Sequence, residues 1–237
     1  MTRHRSVTRN LAVIGVASAL AVVPAAAAVA TQVAWGACPE DVVAEAAPSQ
    51  LDCATVPVPV DYADPASSEI DIMISRLASK NPSKRRGILL LNPGGPGGSG
   101  LAFPAFLVAR GLPASVTDSY DVIGMDTRGI GHSAPVSCGF TADGPYLGNI
   151  PPYAADDAAV VERAKVVKGV AEQCARNDRD GHLRHLTTAN TARDLDRIRA
   201  ALGEEKANFL GFSYGSALGA AYASLFPERA DRIVLDR

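Results

Sequence analysis

A 237-residue sequence that is 47% hydrophobic and 20% charged can bury one sizeable core, which excludes disordered and fibrous classes and fits a single catalytic domain. The formal net charge of -2 hides an asymmetry: Arg3, Arg5 and Arg9 fall in the first 30 residues, which hold no acid, leaving 20 Lys+Arg against 25 Asp+Glu in the rest. A mildly acidic body argues against a nucleic-acid partner.

The opening segment, 1–30, reads as an export signal. Arginines lead, the uncharged apolar run Leu11 to Val23 follows, Pro24 breaks it, and Ala28-Val29-Ala30 has the form of a cleavage site. Leu11 to Ala30 is long enough to span a bilayer, but its alanine-rich second half and Pro24 favour cleavage, so a secreted protein starting near Thr31 and free of the membrane is expected. An oxidising destination suits Cys38, Cys53, Cys138 and Cys174, which form neither a metal-ligand pattern nor a C-x-x-C pair. Two disulfides are expected. Of the three connectivities, Cys38 with Cys53 and Cys138 with Cys174 closes the shorter loops.

Asp52 to Asp61 and Glu69 to Leu77 alternate apolar and polar residues around an Asp64-Pro65 turn, the pattern of an antiparallel strand pair. Arg86 to Asn92 is a continuous apolar run, as in a strand buried on both faces. Asn92-Pro93-Gly94-Gly95-Pro96-Gly97-Gly98-Ser99-Gly100 follows it directly. No Gly-Lys-Ser/Thr closes this stretch, and no dinucleotide fingerprint fits it, so neither phosphate nor cofactor binding is expected. It reads as a loop whose backbone approaches a reacting oxygen. Pro93 and Pro96 have no N–H, which leaves Gly95 as the donor. An apolar helix is expected over Leu101 to Ala109.

Tyr120 to Met125 is a further buried strand, ending in Asp126-Thr127-Arg128-Gly129-Ile130-Gly131-His132-Ser133. An ion pair between Asp126 and Arg128 is expected to fix that turn. His132 is weighed as a catalytic base but reads as a turn residue. Thr141 to His185 says least: Asp156 to Arg176 has helical spacing, and His182 with His185 lack a convergent carboxylate, so no metal is expected. Thr188 to Leu202 is an amphipathic helix ended by Gly203.

Lys206 to Ala221 carries the chemistry. An apolar strand enters Gly211-Phe212-Ser213-Tyr214-Gly215, and a helix of small residues leaves it. In G-x-S-x-G the serine occupies a strained strand-to-helix turn, and flanking glycines are needed where a β-carbon would clash. Ser213 is therefore the candidate nucleophile. The N–H of Tyr214, at the start of the helix, joins Gly95 as the second oxyanion donor. Asp231 to Asp236 is expected as one more buried strand.

Gly-Gly-Pro-Gly-Gly after one strand, Asp-x-Arg-Gly-x-Gly-x-Ser after the next, Asn-Thr-Ala-Arg-Asp-Leu-Asp on a helix, and Gly-Phe-Ser-Tyr-Gly on the elbow together resemble the secreted tripeptidyl aminopeptidases. Those enzymes are relatives of the proline iminopeptidases in the α/β-hydrolase superfamily, and the resemblance runs from Cys38 to Asp236. It implies an α/β-hydrolase fold, with a mostly parallel sheet covered by helices on both faces. It also implies a peptide substrate with a free N-terminus, attack by Ser213, oxyanion donation from Gly95 and Tyr214, no cofactor, and a disulfide framework compatible with the four cysteines.

In that superfamily an acid and then a histidine follow the serine. Beyond Ser213 this sequence has Glu228, Asp231 and Asp236 but no histidine, so it reads as the N-terminal part of a longer enzyme, truncated after the strand that follows the nucleophile helix. An esterase or lipase of the same fold, or a non-catalytic product, are the alternatives.

Overall fold

The alternating stretches pair as expected. In the computed structural model, which describes residues 33–139 and 153–236, the antiparallel neighbours are Asp52–Pro59 (β2, after the two-residue β1, Gly36–Ala37) and Glu69–Leu77 (β3). The expected export segment 1–30, its expected cleavage near Thr31 and part of the 141–185 stretch lie outside the described residues. Among those residues no helix is long and apolar enough to cross a membrane.

The continuous apolar runs make the centre of the sheet. Ile88–Asn92 (β4) lies between Asp121–Met125 (β5) and Ala207–Phe212 (β6), parallel to both, and Ala230–Asp236 (β7) lies parallel to β6 at the edge. The order across the seven strands is β1-β2-β3-β5-β4-β6-β7. Since β3 runs antiparallel to both β2 and β5, strands β2, β4, β5, β6 and β7 point one way and β1 and β3 the other.

Side-chain alternation then divides the core. Val56, Val58, Ile72, Ile74, Leu90 and Phe209 face Thr188–Ala201 (α5) and Tyr214–Leu225 (α6), where Leu195, Ile198, Leu218 and Tyr222 are fully buried. On the other face Met73, Cys53 and Leu101 pack with Val42 of Glu40–Ala46 (α1), and Ala102 and Ala105 bring in Phe103–Ala109 (α2). A four-residue turn of helix, Ala114–Thr117 (α3), precedes β5. Cys38 is bonded to Cys53, and Cys138 to Cys174.

Asp157–Asn177 (α4) begins where Asp156 Oδ1 accepts from Ala159 N at 2.8 Å. None of its residues is buried. Helix α5 starts in the same manner, with Thr187 Oγ1 accepting from Asn190 N at 3.1 Å, and Gly203 stops it at φ +74°.

One expectation fails. Asp231 to Asp236 was to be buried, yet Val234 and Leu235 of β7 are 53% and 46% exposed. An apolar strand is buried only where neighbours cover it; β7 has a strand on one side alone and α6 against part of one face. The carboxyl ends of β4, β5, β6 and β7 converge on one rim of the sheet, the usual location of sites in such folds.

Candidate active site

At the end of β6, Ser213 adopts φ 51° and ψ −120°, a region that costs a non-glycine residue strain. Among the described residues Ala134 alone of the other non-glycines has a positive φ. Helix α6 begins at the next residue, so the elbow is a single residue wide and the serine is exposed at its tip. A β-carbon on Gly211 would collide with the Gly215 carbonyl, and one on Gly215 would lie 2.7 Å from the Asn92 carbonyl oxygen. Both glycines are required by close backbone approach, as the spacing demands. The Asp236 carbonyl closes the turn, accepting from Ser213 N at 2.9 Å and from the Ser216 hydroxyl at 2.6 Å.

The glycine-rich loop reaches the same point from β4. Gly94, Gly95 and Gly97 have φ of +102°, +107° and +108°, values that side chains rarely tolerate. A β-carbon on Gly94 would lie 2.5 Å from the Phe212 carbonyl oxygen, so the loop rests on the elbow. Gly95 is exposed on the crest of that loop. Tyr214 occupies the first helical position of α6, where an N–H has no acceptor within its own helix. Its phenol is hydrogen-bonded to Thr188 Oγ1 at 2.9 Å.

The turn after β5 corrects the sequence reading. Asp126 does not pair with Arg128: its Oδ1 accepts from the Ser99 hydroxyl at 2.7 Å and Gly100 N at 3.0 Å, and its Oδ2 accepts from His132 N at 2.8 Å. Arg128 turns inward to Asp194 of α5, with Nε–Oδ2 2.7 Å and Nη2–Oδ1 2.6 Å, while its Nη atoms donate to the Val60 and Pro59 carbonyls. Tyr62 adds its hydroxyl to Asp194 Oδ1 at 2.7 Å; burial, helped by the Asp194 charge, pushes this phenol far above its usual range. Two charges opposed in a buried fork outcompete a pair two residues apart on one tight turn, because the fork satisfies both oxygens of the carboxylate. Asp194 was not singled out from the sequence. Its signal was available: an acid on the same helical stripe as Leu195 and Ile198 needs a cation inside the core.

His132 is engaged elsewhere. Its Nε2 lies 3.0 Å from Asp41 Oδ2 on α1, and this hydrogen bond holds the Asp41 carboxyl below its ordinary value. His185 lies beside Arg184 and 4.0 Å from Asp61 Oδ1. Among the described residues no histidine is hydrogen-bonded to the Ser213 hydroxyl, and no group of His, Cys, Asp and Glu could hold a metal ion.

A family model described as the alpha/beta hydrolase fold matches residues 87–237. Over 189 residues the chain is 44% identical to a tripeptidyl aminopeptidase of Streptomyces coelicolor, covering 78% of this chain and 35% of that protein. It is 37% identical over 187 residues to serine protease Hip1 of Mycobacterium tuberculosis, again 78% and 35%, and 34% identical over 150 residues to carboxylesterase B of the same species, 63% and 28%. The chain thus spans about a third of the length of the curated relatives it matches.

Proposed function

The chain belongs to the α/β-hydrolase fold family, and from that premise we propose that it carries the nucleophile of an exported serine exopeptidase releasing short peptides, tripeptides foremost, from free N-termini. The observation that carries this reading is the contact of two elements: an exposed Ser213 at positive φ and a glycine loop resting on it. In the proposed reaction the Ser213 oxygen attacks the scissile carbonyl carbon and gives its proton to a histidine base, a group that the described residues do not place at Ser213. The carbonyl oxygen becomes an anion held by the N–H groups of Tyr214 and Gly95. Collapse expels the amine with that proton and leaves an ester on Ser213, which water hydrolyses. Cleavage of the 1–30 segment near Thr31 would deliver the protein to an oxidising, extracellular location, which agrees with its two disulfides. The aminopeptidase and protease relatives support a peptide substrate.

Carboxylesterase B among the relatives favours a second reading, an esterase, because the elbow itself does not choose between amide and ester. A fluorophosphonate probe followed by peptide mass mapping tests the nucleophile. Labelling is expected at Ser213 and absent in Ser213→Ala, and slow in this chain because its hydroxyl has no histidine partner among the described residues. Labelling that persists in the alanine variant excludes Ser213. In an enzyme that supplies the histidine base, a chromogenic tripeptide amide with a free amine, its N-acetylated form and a short acyl ester separate the substrate classes: turnover lost on acetylation supports the exopeptidase, and a preference for the ester overturns it.

A further inference from the structure

The glycine loop is an exposed arch on two buried footings. Gly95 to Ser99 are exposed, whereas Gly94 and Gly100 are buried. At each footing a buried polar side chain accepts the backbone N–H of the glycine. Asn92, 2% exposed, takes Gly94 N on its Oδ1 at 3.0 Å; Asp126, 0% exposed, takes Gly100 N on its Oδ1, and the adjoining Ser99 hydroxyl on the same oxygen. The footings are tied to different strands. Asn92 ends β4 and borders Gly215, while Asp126 follows β5 and is itself fixed, its N donating to the Met73 carbonyl and its carbonyl accepting from the Ser133 hydroxyl.

A span of glycines and one proline has little of its own to hold it in one shape, since glycine loses more conformational freedom on ordering than any other residue. An oxyanion donor helps only if it is aimed before the charge develops. We propose that Asn92 and Asp126 are the positioning residues of this arch, fixing its two ends so that the Gly95 N–H is aimed at the place beside Ser213 where the substrate carbonyl oxygen becomes negative. This inference rests on the reading of Gly95 as an oxyanion donor. Neither side chain touches substrate in this account; each acts through the glycine it holds. Asp126 suits the task because a carboxylate accepts all three donors around it, while an asparagine would bring two N–H groups to a place already occupied by donors.

Amide hydrogen exchange of the 237-residue chain tests this without turnover, so failure here is separate from failure of the peptidase reading. Ser99→Ala removes one donor at an exposed position and should leave the fold intact. Exchange of the Gly100 amide, which Asp126 holds, should then rise on the order of tenfold while α5 and β2 keep their protection, and the Gly95 amide resonance should move. Ser99→Thr retains the hydroxyl and should restore both. Asp126→Asn should act in the same direction and more strongly. The proposal is overturned by unchanged exchange in Ser99→Ala and Asp126→Asn, by loss of protection spread equally through α5 and the arch, or by no rescue in Ser99→Thr.

Discussion

Gly94 lies so close to Ser213 that no side chain fits between them: a β-carbon on Gly94 would lie 2.8 Å from that of Ser213. Gly94 also sits at φ +102°, so an alanine there meets both a steric and a conformational penalty. Gly94→Ala is expected to destabilise the protein by roughly 1–3 kcal/mol, the usual range for overpacking, and to slow phosphonylation of Ser213 at least about tenfold. A urea melt and a labelling time course check it. Wild-type values for both would mean that the loop does not rest on the elbow.

Arg128 and Asp194 make the fork that joins the turn after β5 to α5, with side chains 1% and 0% exposed. Removing one partner strands the other in the core. Arg128→Met should therefore cost about 3–5 kcal/mol, and adding Asp194→Leu should return part of it, because the uncompensated charge is gone. If the double variant is as unstable as the single, the cost lies in the Val60 and Pro59 carbonyls that Arg128 also serves, and the charge is secondary.

How much of this was legible depends on range along the chain. The β2 and β3 pair was readable because alternation with period two sets its register locally, and Asp52 does lie opposite Arg76. The elbow was readable because the five-residue pattern carries both glycines and Gly211 answers to a clash with Gly215 four residues on, although Gly215 itself meets Asn92 of the neighbouring strand. Arg128 was misassigned because its partner is 66 residues away and brought near only by the packing of α5. The exposure of β7 and the absence of buried residues on α4 were equally out of reach, since hydrophobic spacing tells which face of an element is apolar and nothing about what covers it. Asn92 offered a local signal that was not used: in Asn92-Pro93-Gly94 the asparagine stands two residues before the glycine, the spacing of an Asx turn, and its hold on Gly94 is that turn.

The two disulfides should differ in effect. Cys38 and Cys53 are buried beside Val42 and Leu101 and close a separation of 15 residues, so replacing both with alanine should lower stability by about 3 kcal/mol. Cys138–Cys174 instead tethers α4, which is held beside it by Gln173 Nε2 and Asn177 Nδ2, both donating to the Cys138 carbonyl. Since no residue of α4 is fully buried, Cys138→Ala with Cys174→Ala should leave the melt within about 1 kcal/mol while proteolysis within α4 accelerates. Intact-mass measurement before reduction should show no alkylatable thiol; four such thiols would remove both expectations.

Tyr222 gives a stability change at alkaline pH. It is fully buried on the inner side of α6, and burial, reinforced by the negative charge of Asp196, raises its phenol from 10.0 to about 12. The neutral form is thus favoured in the folded state. Below pH 10 both states keep the proton and the contribution is fully present. Between pH 10 and about 12 the unfolded chain releases a proton that the folded chain retains, so stability falls as pH rises. At about 1.4 kcal/mol per pH unit this amounts to roughly 2–3 kcal/mol over the interval. Tyr222→Phe removes the titrating group and forfeits a long hydrogen bond, 3.4 Å to the Arg229 carbonyl, and the contact of the hydroxyl with Arg199. Urea unfolding at pH 9 and pH 11 should show a clearly shallower loss of stability in the phenylalanine variant than in the wild type, with Tyr62 responsible for what remains. Equal slopes in the two proteins would show that the Tyr222 hydroxyl titrates alike in the folded and unfolded states.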